Sequence, residues 1–248
     1  MWRTFGCSIE SSLSSTAEQS IDGGVEGTAA TADTGSRALR SIMRLLSKII
    51  DAKFDSSNRP GTSIAHDEGD SPNDWPALES DLTAWYTMYQ TSMLPDIVRR
   101  STPESGIYEC WFADETCAIA SIYYHVCRLL LLMHDPSAIK PTAQQCDWLQ
   151  VYRALCGSMA VHAREILAVA LGRPSSVVQS RLVQPLYIAG RCLWREPEQR
   201  RLVATLRGIE NDLGLATNYR IKALLQEWGT PELLQRSELD RELSDLSS

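Results

Sequence analysis

The chain has 248 residues, 44% of them hydrophobic, enough to fill a core of ordinary domain size. It carries 24 Lys and Arg against 31 Asp and Glu, a formal net charge of −7, which excludes a global attraction to phosphate backbones. Its seven cysteines, Cys7, Cys110, Cys117, Cys127, Cys146, Cys156 and Cys192, are odd in number, widely spaced and without a CxxC pair. That spacing describes reduced thiols in an intracellular protein and excludes a disulfide framework.

Residues 1–36 are rich in Ser, Thr, Gly and Ala and poor in large apolar side chains. They cannot bury enough surface to offset the entropy of ordering, and the expectation is a disordered arm. The first residues, MWRTFGCSIE, lack the charged start and apolar run of a secretory signal. Over 37–54 an apolar stripe (Leu39, Met43, Leu46, Ile50) runs beside Arg37, Arg40, Arg44, Lys48 and Lys53, which predicts a basic amphipathic helix. Its basic face suits solvent first, and a membrane surface or DNA phosphates second. Residues 55–76 form a polar linker broken by Pro60, Gly61, Gly69, Pro72 and Pro76.

The remainder reads as helices. Leu78, Leu82, Trp85 and Tyr89 recur at helical spacing, as do Phe112, Ile119, Ile122, Val126, Leu129 and Met133 with one gap. The second of these helices, expected over about 109–134, is apolar on nearly every side, which suits a central helix with neighbours all round. Its most apolar run, 117–133, is shorter than a membrane span and contains His125 and Arg128, so a soluble core helix is expected. Further stripes are Trp148, Tyr152, Leu155, Met159, His162, Ile166 and Ala170; Leu182, Leu186, Ala189 and Leu193; Leu202, Leu206, Ile209 and Leu213; and Ile221, Leu224, Leu225 and Trp228. Thr142 with Gln145 and Ser176 with Gln179 fit capping boxes. Pro197 and Pro231 suit first helical turns, and Gly172, Gly214 and Gly229 suit left-handed C-caps. No stretch alternates strongly enough for a strand. The fold class is all-α: a multi-helix globular domain with a disordered N-terminal arm.

Residues that could carry chemistry do not assemble into a site. His162 has Glu165 three residues on, but a helical carboxylate-bridged metal site needs two Glu-x-x-His units and further Glu. Cys117, His125 and Cys127 point in different directions round a helix and cannot supply convergent zinc ligands. No Gly-x-Ser-x-Gly elbow, Walker loop or Gly-x-Gly-x-x-Gly occurs. The expectation is no catalytic, cofactor-binding or metal residue, and no cofactor. At the end of the chain, Leu239, Leu243 and Leu246 sit among Glu238, Asp240, Glu242 and Asp245. Residues 231–248 thus read either as an acidic tail that docks in a partner's groove or as a terminal helix packed on the domain.

The segment Gln184-Pro185-Leu186-Tyr187-Ile188-Ala189-Gly190-Arg191-Cys192-Leu193 carries a resemblance. It is similar to a "QPLFIAG"-like helix near the end of the regulatory domain in fungal Zn(2)-Cys(6) zinc-cluster transcription factors. That helix is followed in the family by a polar, Arg-rich helix, here over 196–213, and then by a helix closing in Trp-Gly, here Trp228-Gly229. Tyr124-His125 with Arg128, and Trp148 with the helix behind it, also resemble the family. The resemblance covers roughly 77–230. It implies an all-helical domain of a nuclear regulator of RNA polymerase II transcription. The implied partners are the transcription machinery or a dimer mate, with a small-molecule effector in some members and no membrane. The zinc cluster itself needs six closely spaced cysteines in a basic context, and 1–36 offers only Cys7 in a net negative stretch. DNA binding is therefore expected to be weak, or to pass through a missing zinc-cluster module. The alternative is a helical small-molecule-binding protein or enzyme that shares only the helical pattern. Physically, Pro185 kinks or restarts its helix, and Ala189 and Gly190 admit a close neighbour flanked by Leu186 and Leu193.

Overall fold

Ala38, Ile42, Leu45, Ile49 and Ala52 recur at three- and four-residue spacing and are all buried, which fixes the core face of the first helix. A computed structural model of the chain describes residues 26–58, 75–93, 97–100, 107–134 and 148–229. This helix, α1, spans Glu26–Asn58. The buried stripe lies one position before the expected one: Met43 and Ile50 are exposed, while Leu39 and Leu46 are half-buried. The small Ala38 and Ala52 take contact positions that a search for large apolar residues passes over. The helix also starts at Glu26, inside the arm expected to be disordered, and ends inside the expected linker. Alanines at 29, 30 and 32 supply helix propensity there. Gly35 is buried so closely that a Cβ would lie 2.6 Å from Asp114 Oδ2.

Helix α2 (Trp75–Tyr89) buries Trp75, Leu82 and Trp85 and runs into a short 3₁₀ turn, Gln90–Met93. The Trp85 indole donates to the carbonyl of Ala38 at 3.2 Å, tying α2 to α1. Two four-residue strands follow, β1 (Ile97–Arg100) and β2 (Tyr108–Trp111). They pair antiparallel with Ile97 opposite Trp111 and Arg100 opposite Tyr108. This ribbon corrects the expectation of no strands. Four residues are too few for alternation to register, and β2 is held in part by packing on a later helix.

The strand also moves the start of the central helix. Instead of beginning near 109, α3 spans Glu115–His134. Asp114 caps it, its Oδ1 accepting from the Thr116 amide at 2.8 Å. Ile119, Ile122, Val126 and Leu129 enter one core cluster, with α4 to α7. Ala120, Tyr124, Cys127 and Leu131 enter a second, with α1 and α2. Both α3 and the next helix have the length and apolarity of a membrane span, contrary to the expectation that the apolar run is too short. In α3 that apolarity faces neighbouring helices on two sides.

Helix α4 (Trp148–Leu171) has its fully buried positions from Ala160 onward, whereas Trp148 and Tyr152 stay exposed at 67% and 55%. The first half of its expected stripe therefore faces out. Helices α5 (Ser176–Gly190), α6 (Glu196–Leu213) and α7 (Asn218–Glu227) complete the bundle. Pro197 sits in the first turn of α6, and Gly214 (φ 68°) and Gly229 (φ 65°) are left-handed, as expected. Two terminus expectations need correction. Ser175 occupies the N-cap of α5 without a side-chain bond, and Gln179 donates to the carbonyl of Pro174 at 3.0 Å, so no capping box forms. After α4 the left-handed residue is Arg173 (φ 52°), not Gly172. Thr142, Gln145, Pro231 and the acidic stretch 231–248 lie outside the described residues.

Gly172 is needed for space. A Cβ there would lie 2.0 Å from the backbone oxygen of Cys110 in β2, which no rotamer change relieves. Gly157, within α4, has nothing within 4 Å of its would-be Cβ. Gly172→Ala should therefore destabilise by about 3 kcal/mol, at the severe end of overpacking. Gly157→Ala should stabilise by roughly 0.5–1 kcal/mol. Urea unfolding of both variants checks the pair; equal midpoints would show that the ribbon does not press on α4.

Candidate functional site

The segment that carries the family resemblance forms the second half of α5. Pro185, Leu186, Ala189 and Gly190 are buried, with Pro185 inside a continuous helix. The neighbour admitted by Gly190 is α7: a Cβ at 190 would lie 2.9 Å from both methyls of Leu224. The Trp228 indole donates to the Gly190 carbonyl at 3.0 Å, so the Trp-Gly end of one segment is bonded to the glycine of the other. Arg191 pairs with Glu227 at 3.0 Å. Arg220 stacks on Tyr187, 4.4 Å from the ring centre, and donates to Gln184 Oε1 at 2.7 Å. Leu186 and Leu193 flank this contact, both buried, as their positions implied.

Leu186→Ala should cost roughly 2–5 kcal/mol, because the side chain is fully enclosed. Gly190→Ala should cost roughly 1–3 kcal/mol through its collision with Leu224. In a Leu224→Ala background the same glycine substitution should be nearly neutral. A double-mutant cycle by chemical denaturation measures this coupling, and strictly additive effects would refute the close contact.

The Arg-rich helix α6 contributes one deeply buried charge, which the sequence pattern did not reveal. Glu198 is 2% exposed and accepts from Arg164 Nε of α4 at 2.7 Å, while Arg164 lies over Trp194. Removing Arg164 would strand the buried Glu198 carboxylate, at roughly 3–5 kcal/mol. Thr217 is equally buried, its hydroxyl 3.1 Å from the Leu206 carbonyl and 2.9 Å from Glu210 Oε2. Each sits one turn before the first residue of an apolar stripe, Leu202 and Ile221, and so is carried inward on a core face where it needs a partner. For Glu198 the local hints are that register with Leu202 and its place in the first turn of a helix.

His162 and Glu165 do not act together. His162 faces His125 of α3, with Nδ1 atoms 3.0 Å apart, whereas Glu165 accepts from the Tyr108 hydroxyl of β2. Burial, His162 and Arg128 hold His125 well below the usual histidine range. Burial, with Arg128 adding to it, brings His162 down to about 4. At neutral pH both rings are uncharged, and one Nδ1–H serves the lone pair of the other. Cys117 lies against Asp114 at 3.4 Å and Cys127 faces the α1–α2 core, so neither joins His125. Among the described residues no three His, Cys, Asp or Glu side chains converge, and Cys110, Cys117, Cys127, Cys156 and Cys192 are free thiols. The clefts along α6, between α1, α3 and α5, and beside Gly172 are lined by none of His125, His162 or Glu165.

Burial raises the Glu165 carboxyl to about 7. Its folded-state value lies above its unfolded one, so the folded chain holds the extra proton between about 4.5 and 7. This group therefore adds stability as pH falls through 7 and removes it as pH rises. The two histidines act oppositely, losing stability as pH falls below about 6.5. Glu165→Gln should match the parent near pH 5 and exceed it by roughly 2–3 kcal/mol near pH 8. Stability curves at the two pH values read this directly, and a constant difference would mean that the carboxyl titrates normally.

The basic residues of α1 lie on its outer side: Arg37, Arg40 and Arg44 are exposed, and Lys48 pairs with Asp81 of α2 at 3.6 Å. No family model matches the chain, and no solved structure matches it. Among curated proteins, the chain is similar to a transcription activator named AMTR1 from Alternaria alternata, with 26% identity over 180 residues. The match covers 67% of this chain and 22% of that protein, so the chain spans about a fifth of its relative's length. The chain is thus similar to a fungal transcription activator over two thirds of its length, and the segments that carry its resemblance to the zinc-cluster regulatory domain are bonded to each other as α5 and α7.

Proposed function

We propose that the chain is a helical regulatory and interaction domain of a fungal zinc-cluster-type transcription factor, acting in the nucleus on RNA polymerase II transcription and not as an enzyme. The observation that carries this reading is the similarity to a transcription activator across two thirds of the chain. The domain works through protein partners, either the transcription machinery or a dimer mate.

Direct, sequence-specific DNA binding needs a rigid reading element and several phosphate contacts. The chain is acidic, and its basic face on α1 has no fixed register on a duplex. The chain should bind duplex DNA only non-specifically, with dissociation constants on the order of 10⁻⁴–10⁻⁶ M at physiological salt. Tethered to a foreign DNA-binding module, the full chain should change reporter transcription severalfold in a fungal host. A strong preference for one selected duplex at physiological salt would overturn the first expectation. A reporter level equal to that of the module alone would overturn the regulatory reading.

A further inference from the structure

The cleft between α1, α3 and α5 has a volume of about 370 Å³ and is built unlike the rest of the core. Its walls include Ile50, Leu130, Met133, Pro185 and Ile188. Leu130, Met133 and Ile188 pack on the core cluster yet remain only partly buried, so they present apolar surface to the cleft. Its neutral polar lining is Tyr123, Gln184 and Tyr187, and its ionisable nitrogen groups are all of the basic kind. Lys53, His134 and Arg191 border it, at the C-terminal ends of α3 and α5 and one turn beyond Ile49 and Ile50 of α1. No Asp or Glu among the described residues lines it. The three basic groups lie close enough to act on one another: besides burial, Lys53 and Arg191 hold the His134 ring below its usual range. Glu227, which pairs with Arg191, stands outside the lining.

An apolar cavity with donors gathered at one border fits a ligand with an apolar body and one acceptor head. The size is also bounded. At about 30 Å³ per small group in a liquid, the cavity holds roughly twelve non-hydrogen atoms. We propose that this cleft binds a medium-chain aliphatic carboxylate, with its chain along Leu130, Met133 and Ile188 and its carboxylate at Lys53 and Arg191. Pro185 lines the same cleft, so the ligand would sit against the signature segment of α5. The inference rests on the cleft alone and is independent of the transcriptional reading.

The test is calorimetric titration of the full chain with decanoate, 1-decanol and decyltrimethylammonium, each below its micellar concentration. Decanoate should bind saturably at one site, with the cation at least about tenfold weaker, as a charge-assisted contact requires. Ile188→Trp fills the cavity and should abolish decanoate binding while keeping the parent's helical circular dichroism. Lys53→Gln, at the border, should weaken decanoate by about tenfold and leave 1-decanol unchanged. Absence of saturable decanoate binding, equal binding of decanoate and the cation, or an unchanged affinity in the folded Lys53→Gln chain would each overturn the proposal.

Discussion

A helix that is apolar on nearly every side can be stable in water only if it is enclosed, and α3 imposes that condition on this chain. Its two faces feed separate clusters, one with α1 and α2 and one with α4 to α7. Every other packing choice follows from supplying those neighbours. Alanines at 38 and 52 and Gly35 let α1 come close on one side. On the other, α4 and α5 close over Ile122, Val126 and Leu129. Tyr124 turns back to the α1–α2 side, stacking on Trp85 and Tyr86.

Where large apolar residues recur, the sequence was a sound guide. The stripes of α2, α6 and α7, Pro197, Gly214, Gly229 and the central place of α3 could all be read from it. It misled where small residues make the contact or where the pattern is too short. The core face of α1 runs through alanines, so the visible stripe of Leu39 and Met43 lay one position off. The ribbon has four residues per strand, and its anchor, the Cys110 carbonyl against Gly172, joins residues far apart in sequence. Trp148 and Tyr152 keep helical spacing but lie in turns of α4 that remain exposed, so periodicity marked a face without telling how far along the helix it is covered.

The candidate site was legible in a different way. Positions 184–193 announced a small-residue contact, and Gly190 makes it. That its partner is Leu224, and that Trp228 bonds the same glycine, depends on a chain reversal through α6 that no local pattern encodes. The polar side chains show the same limit. His162 and Glu165 share a helix one turn apart, yet one meets α3 and the other β2. Spacing along a helix cannot separate a joint site from two unrelated satisfactions of buried groups.

Pro185 gives α5 a mechanical character. Lacking an N–H, it cannot donate to the carbonyl one turn earlier, so the ladder of the helix is interrupted in its interior. α7 is held on both sides of the proline, through Gln184, which accepts from Arg220, and through Gly190, which meets Leu224 and Trp228. Bending therefore costs least at this turn, and the contacts of α7 to Gln184 on one side and Gly190 on the other brace it. The helix is thus a jointed rod, and its joint forms part of the wall of the α1–α3–α5 cleft.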